Sequence, residues 1–158
     1  MQSYDIYELM IIPPNKKGEM IVRELEKPEP NLNLVRDLIT LGANFDWQND
    51  DGNTALHFCA IHNRPEISGL LISVGADLNI QDIYGRTALH WCARDNRPEI
   101  ARVLLDAGAD MNMLNEDGMS ALHLCARFDH PEIARMLINA GADMNICGIK
   151  MENSPTSL

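Results

Sequence analysis

Apolar positions along the chain repeat with a period of 33 residues, and within each period they follow helical spacing. Leu56 and Ala60 lie four residues apart, and equivalent residues recur 33 and 66 positions later. Spacings of three and four residues place side chains on one face of a helix. Each period holds two such segments separated by a short turn. The pattern therefore predicts helix pairs that bury their apolar faces against neighbouring copies.

Polar and helix-breaking residues recur with the same period and mark where each helix begins and ends. A hydroxyl residue suits the N-cap of the first helix, and a proline suits the first turn of the second, where its missing N–H costs nothing. An Asn or Asp between the helices tolerates a positive φ, and a glycine follows the second helix. In order along the repeat, these residues are Thr54, Thr87 and Ser120; Asn63, Asn96 and Asp129; Pro65, Pro98 and Pro131; and Gly75, Gly108 and Gly141.

The most constant letters form a seven-residue motif at the start of the first helix. It reads TALHFCA, TALHWCA and SALHLCA in three successive copies. This motif and its period resemble the ankyrin repeat, in which T-P-L-H-x-A recurs every 33 residues. This chain has alanine where the family usually has proline. The resemblance implies an all-α repeat fold, an ankyrin-repeat α-solenoid of stacked helix-turn-helix units with β-hairpin-like loops.

The resemblance also predicts how the chain is divided. The cap repeat lacks Thr-Ala-Leu-His, and the lead segment carries apolar residues that could form a short element over it before Pro13 and Pro14 interrupt regular structure. The last residues are expected to be disordered. The predicted divisions are an N-terminal lead segment, 1–15; a degenerate cap repeat, 16–48; full repeats at 49–81, 82–114 and 115–147, which complete an ankyrin repeat domain over 16–147; and a C-terminal tail, 148–158.

The two ends of the array differ in polarity. Asp37 stands in the cap repeat where the later copies carry Leu70, Val103 and Met136. A polar residue is expected there because no earlier repeat covers that position. The fourth repeat has no comparable polar substitution. Its apolar end is therefore covered either by the tail or by another chain.

Charge and cysteine content narrow the classes of function and location. The chain has 23 acidic and 13 basic residues, a formal net charge of −10. This charge argues against binding nucleic acid or an anionic membrane surface, which requires a concentrated basic face. The start of the chain lacks a basic region followed by an apolar run, and no stretch approaches the length of a membrane span. Four cysteines without disulfide-like spacing predict a reducing compartment, so an intracellular location, cytoplasmic or nuclear, is expected.

A His-x-Cys pair occurs in each full repeat, at His57/Cys59, His90/Cys92 and His123/Cys125. One interpretation is a nucleophilic cysteine with its base, or a zinc site. Residues i and i+2 of a helix, however, point about 200° apart, so the two side chains diverge. The family resemblance implies instead that the histidine bonds between neighbouring loops and the cysteine packs in the core. We therefore expect no catalytic residue, no metal, no cofactor and no enzymatic activity.

The positions that vary between copies predict a binding surface. In ankyrin proteins, partners usually bind the concave side, which the loop tips and the exposed face of the first helices form. Aromatic and arginine side chains there are typical interface anchors. Phe58 and Trp91, by contrast, are predicted to pack in the core. The predicted partner contacts are Asp50, Asp51, Asn53, Ile61 and His62; Ile83, Tyr84, Arg86, Arg94 and Asp95; and Glu116, Asp117, Met119, Arg127 and Phe128.

Two shorter motifs also have functional interpretations. Asn79, Asn112 and Asn145 stand in contexts that look like the sites at which ankyrin asparagines are hydroxylated by an oxygenase. The alternative is a structural asparagine in the loop. The C-terminal residues Thr156 and Leu158 are similar to those of a PDZ ligand, with an apolar residue at the carboxyl terminus.

These observations favour a non-catalytic protein–protein interaction module that binds a partner protein on its concave face, as an adaptor or an occluding inhibitor. Two alternatives follow from other features. The fourth-repeat end could be completed by another chain, which would make the protein a structural subunit. The His-x-Cys pairs could instead serve a metal-binding or enzymatic protein.

Overall fold

A computed structural model describes residues 4–145, which form nine helices and no strand. Helices α2, α4, α6 and α8 pack side by side in an inner layer, and α3, α5, α7 and α9 in an outer layer. This two-layer stack confirms the predicted repeat solenoid. No helix in the described range is long and apolar enough to cross a bilayer. The helices are α1 (Ile6–Ile11), α2 (Pro14–Leu25), α3 (Leu32–Thr40), α4 (Ala55–Ile61), α5 (Pro65–Ser73), α6 (Ala88–Asp95), α7 (Pro98–Asp106), α8 (Ala121–Phe128) and α9 (Pro131–Asn139).

Each inner helix of a full repeat begins with a reciprocal pair of hydrogen bonds. The hydroxyl of Thr54 accepts a bond from the His57 N–H, and the His57 ring accepts one from the Thr54 N–H at 3.0 Å. Histidine thus takes the place that glutamate has in an ordinary capping box. Thr87 and Ser120 cap α6 and α8 in the same way. The predicted N-caps are confirmed.

The turns between the paired helices have the backbone conformation predicted from their residues. Asn63, Asn96 and Asp129 have φ of 53°, 56° and 57°, the left-handed region that Asn and Asp tolerate best. Prolines begin α5, α7 and α9, where the first helical position has no need of an N–H donor. Each turn brings the outer helix back against the inner one. Each full repeat therefore adds one inner and one outer helix to the stack in the same arrangement.

The loop tips of successive repeats are hydrogen-bonded to each other through the main chain. The Ile83 N–H donates to the Asp51 carbonyl at 3.0 Å, and the Glu116 N–H donates to the Tyr84 carbonyl at 2.9 Å. Gly85 has φ of 74°, and a Cβ at this residue would lie 2.9 Å from the Glu116 nitrogen. Only glycine permits both this conformation and this approach. The tips therefore form a row along one edge of the stack.

The N-terminal helices cover the first full repeat. On α1 only Leu9 is buried, and the remaining apolar side chains of this helix are exposed. Pro13 and Pro14 interrupt regular structure as expected: α1 ends at Ile11, Pro13 is extended, and Pro14 begins the separate helix α2. Its fixed φ suits that position, and no helical hydrogen bond is lost there. Asp37 is exposed on α3, in agreement with the expectation for an uncovered end.

Candidate functional site

The histidines of the second and third repeats connect neighbouring loops. The His57 Nε2 bonds the Arg86 carbonyl at 2.8 Å, and the His90 Nε2 bonds the Met119 carbonyl at 3.0 Å. Because Nδ1 accepts from the N-cap N–H, Nε2 carries the proton and donates. Burial lowers the pKa of both histidines, which favours this neutral form. Both ring nitrogens are thus used within the scaffold, as the structural interpretation predicts.

The cysteines of the His-x-Cys pairs lie in the core. Cys59, Cys92 and Cys125 are all buried. Burial raises the pKa of each thiol, to about 11 for Cys125, so the nucleophilic thiolate is strongly disfavoured near neutral pH. Within residues 4–145, no group of three His, Cys, Asp or Glu side chains could hold a metal ion. The interpretation of these cysteines as core residues is confirmed.

Most of the predicted partner contacts have accessible side chains. Exposed residues are Asp50, Asp51, His62, Ile83, Tyr84, Arg94, Glu116, Asp117, Arg127 and Phe128, and half-buried residues are Ile61, Arg86 and Asp95. These residues lie on the inner helices and the loop tips, on the side of the stack that the family resemblance implies is concave and that we call the concave face. Partner binding by these residues stays a prediction.

Two of the predicted contacts are buried. Asn53 and Met119 each directly precede the N-cap of an inner helix, and their N–H groups donate to Asn49 and Asn115 at the start of the tip. This loop closure packs the two side chains against the scaffold. They therefore offer a partner little surface. Helical periodicity does not extend into the loop, so the sequence pattern could not show this.

The third repeat joins its loop tip to its inner helix through an arginine–aromatic cluster, Tyr84, Arg86, Trp91 and Arg94. The Arg86 guanidinium carbon lies 4.7 Å from the Tyr84 ring centre and 4.2 Å from that of Trp91. That of Arg94 lies 5.2 Å from the Trp91 ring centre. These distances are typical of cation–π contacts. The cluster therefore connects the exposed side chains of Tyr84 and Arg94 to the buried side chain of Trp91.

A buried carboxylate fixes the arginine at the centre of this cluster. Asp82 Oδ2 accepts from Arg86 Nε at 2.8 Å, and its Oδ1 accepts from the N–H groups of Tyr84 and Arg86. The neighbouring repeats have Asn49 and Asn115 in place of Asp82, and neither has an arginine four residues later. The carboxylate thus occurs in the one full repeat whose loop also carries an arginine that needs a charged acceptor. Sequence reasoning missed Asp82, although its departure from asparagine together with Arg86 could have revealed it.

Trp91 is buried as predicted, yet it also takes part in the candidate site. Its side chain is 8% exposed, and its Nε1 has no hydrogen-bond acceptor among the described residues. Phe58, the equivalent residue one repeat earlier, is also buried and stacks on His62. The expectation of core packing is therefore confirmed for both residues. It missed the contact of Trp91 with two arginines.

Two arginines of the concave face have no acidic partner. Arg94 and Arg127 occupy equivalent positions in the last turns of α6 and α8, and both are exposed. Neither forms an ion pair within residues 4–145. The Arg127 guanidinium lies 5.8 Å from the Phe128 ring centre and bonds the Met119 sulfur at 3.8 Å. Both charges remain available to a ligand.

The loop asparagines link successive repeats. Asn79 Oδ1 accepts from the Asp110 N–H at 2.8 Å, and Asn112 Oδ1 accepts from the Asp143 N–H at 2.9 Å. This geometry supports the structural interpretation of these residues. Hydroxylation of Asn79, Asn112 and the exposed Asn145 stays a prediction. The predicted PDZ motif, Thr156 to Leu158, lies outside the described residues, as does the predicted tail.

The fourth repeat exposes apolar side chains at its outer end. Ile138 is 47% exposed and Met144 is 67% exposed. The equivalent residues of the third repeat, Leu105 and Met111, are half-buried because the fourth repeat covers them. The described part of the array thus ends on a surface of the kind that a further element normally covers.

Comparison with protein families matches most of the chain. The family model described as Ankyrin repeats (3 copies) matches residues 26–115, and the model described as Ankyrin repeat matches residues 117–149. The matched segments begin directly after α2, the first helix of the cap repeat, and extend over α3 and the three full repeats. No curated protein matches the chain.

Proposed function

Because the chain belongs to the ankyrin repeat family, whose members are generally non-catalytic protein–protein interaction modules, we propose that it binds a partner protein on its concave face. The arginine–aromatic cluster carries this proposal. It combines an exposed tyrosine and an exposed arginine, two of the residue types most enriched at interface anchors. The surrounding scaffold repeats closely, whereas Tyr84 and Arg86 of this cluster have no counterpart in the neighbouring full repeats.

Preorganisation supports the same face. The tips of the second, third and fourth repeats are joined by main-chain hydrogen bonds, and Arg86 is held by Asp82. A surface whose side chains are already ordered loses less conformational entropy on binding. The chain would act as an adaptor if the partner keeps its other surfaces free, and as an occluding inhibitor if the concave face covers the partner's own site.

The double variant Tyr84→Ala/Arg94→Glu tests the face. It should abolish capture of the partner from a cell extract while thermal unfolding stays within a few degrees of the unmodified chain. The matched control is Tyr7→Ala/Arg102→Glu, which makes the same changes at exposed positions of α1 and α7. Capture that survives the concave change, or is lost equally with the control, would overturn the assignment.

Cross-linking of the captured complex can locate the contact directly. Lysine-reactive reagents suit this chain poorly because its lysines, at Lys16, Lys17, Lys27 and Lys150, lie outside the three full-repeat tips. Reagents that couple carboxylates are better, since Asp50, Asp51, Glu116 and Asp117 are exposed at the tips. Cross-links concentrated on these four residues would support the concave face. Cross-links confined to the acidic residues of α7 and α9 would contradict it.

The apolar fourth-repeat end favours a second candidate function, a structural subunit completed there by another chain. Exposed Ile138 and Met144 are the observation behind it. Light scattering across a range of protein concentrations should then show association that Ile138→Asp removes. A constant monomer mass, without a partner captured through this end, would exclude the candidate.

A further inference from the structure

We infer that the partner presents an acidic segment to the concave face, with carboxylates of its Asp or Glu side chains on Arg94 and Arg127. This inference rests on the proposed function and names the chemistry of the partner. It starts from the charge distribution. In a chain of net charge −10, both arginines are exposed and lack an acidic partner among the described residues.

The position of these arginines in the fold does not by itself explain their arrangement. A basic residue in the last turn of a helix interacts favourably with the helix dipole, which explains a positive charge at either site. It does not explain why each guanidinium lies beside an aromatic ring, Arg94 by Trp91 and Arg127 by Phe128. Such a contact holds the planar group in place, and apart from the Arg127 bond to the Met119 sulfur the N–H donors of both groups stay free for a carboxylate.

The arginine–aromatic cluster has an excess of hydrogen-bond donors. Arg86, Arg94 and Trp91 carry only donors, and the two oxygens of Asp82 already accept from Arg86 and from loop N–H groups. The Trp91 Nε1 is buried without an acceptor in residues 4–145. Asp95 is half-buried next to Arg94 in sequence but forms no ion pair with it. An incoming carboxylate can supply acceptors to the exposed Arg94 guanidinium, and the buried Trp91 N–H beside it reports the change.

The distance between the two arginines sets the form of the ligand. They occupy equivalent positions on packed helices, whose axes are typically about 8–10 Å apart. An extended peptide advances about 3.3 Å per residue, so carboxylates two to four residues apart span this distance. The tips carry acidic residues at Asp50–Asp51 and Glu116–Asp117. The ligand residues that flank its two carboxylates must therefore be uncharged or basic.

Synthetic peptides test the inference without a known partner. The probes carry two Asp residues separated by one, two or three residues in a Gly/Ser/Tyr host with flanking Lys. A second set has Asn in place of Asp, and a third has phosphoserine. Binding to the full chain is followed by titration calorimetry and by the NMR signal of the Trp91 indole N–H. Assignment of that signal uses a Trp47→Phe variant, since the chain has two tryptophans.

The Asp peptides should bind, shift the Trp91 indole signal and weaken with added salt, whereas the Asn peptides should not bind. Arg94→Gln and Arg127→Gln should each reduce affinity at least tenfold, and Arg102→Gln, on the outer helix α7, should leave it unchanged. Thermal unfolding of each variant confirms that the fold is intact. Failure of every Asp peptide at millimolar concentration overturns the inference, as does binding that is independent of both arginines or restricted to phosphoserine.

The same variants separate this inference from the proposed function. Suppose that Tyr84→Ala/Arg94→Glu abolishes capture of the cellular partner but Arg94→Gln/Arg127→Gln does not. That result would support partner binding on the concave face and contradict the acidic segment. If neither double variant affects capture, both proposals are contradicted. Loss of capture with both, together with binding of the Asp peptides, supports both.

Discussion

Replacement of Asp82 by asparagine should weaken the third repeat, although asparagine is the residue that both neighbouring repeats carry at this position. The side chain of Asp82 is fully buried, and its carboxylate bonds the Arg86 guanidinium at 2.8 Å. An amide oxygen can still accept the two loop N–H bonds. It cannot pair with a cation, so a charge-assisted bond of about 1.5–3 kcal/mol is lost. The Arg86 side chain is 25% exposed and regains some hydration, which places the expected loss near about 1.5 kcal/mol.

Urea unfolding followed by far-ultraviolet circular dichroism measures this change as a shift of the transition midpoint at constant slope. Tryptophan emission should shift at the same time, because Arg86 no longer stays beside Trp91. The reciprocal change in the second repeat provides the control. Asn49→Asp alone should destabilise, since it introduces a carboxylate next to Asn53 rather than an arginine.

Addition of the partner charge completes the test. Asn49→Asp/Asn53→Arg should recover at least half of the stability that Asn49→Asp loses. Equal stability of Asp82→Asn and the unmodified chain would refute the reasoning, as would a double variant no more stable than Asn49→Asp. The first result would mean that the third-repeat ion pair contributes nothing beyond its neutral counterpart, and the second that the same pair does not stabilise an equivalent loop.

Three further predictions concern the scaffold. Gly85→Ala should destabilise the fold more than Gly42→Ala, because both sites have positive φ but only a Cβ at Gly85 would meet the next tip, at 2.9 Å. Urea unfolding should show a loss of about 1 kcal/mol for Gly42→Ala and at least twice that for Gly85→Ala. Equal losses would contradict the role of the contact. Arg97→Ala removes two 3.0 Å hydrogen bonds to main-chain carbonyls at the end of α4 and should lower the free energy of unfolding by about 1–3 kcal/mol. Hydrogen exchange should then rise at the junction of the second and third repeats, and unchanged exchange there would contradict this prediction. Burial lowers the pKa of His57 and His90 below 6.5, so the folded state binds fewer protons than the unfolded state and the free energy of unfolding should fall as pH drops below about 6.5. The slope should reach at most about 1.4 kcal/mol per pH unit for each histidine and flatten above 6.5, and a His57→Gln/His90→Gln variant with an undiminished slope would assign the effect to other groups.

The sequence alone determined the repeat, the helices and their ends. The helix starts at Thr54 and Thr87, the left-handed turn at Asn96 and the prolines of the outer helices all follow from interactions within about four residues along the chain. Local hydrogen bonds and backbone sterics act alike in each copy, so periodicity suffices to find them. For the same reason, the identity of the fold required no tertiary information.

Tertiary structure decided which loop side chains are exposed and which pack into the scaffold. The burial of Asn53 and Met119, the pairing of Asp82 with Arg86, and the place of Trp91 beside two arginines depend on how the tip folds back onto the inner helix. The loop has no helical periodicity to fix side-chain directions. The inner helices meet residues about 30 positions away, as where His90 bonds the Met119 carbonyl. The residues that recur in each repeat therefore define the scaffold, whereas the candidate binding surface depends on contacts that arise only when the repeats stack.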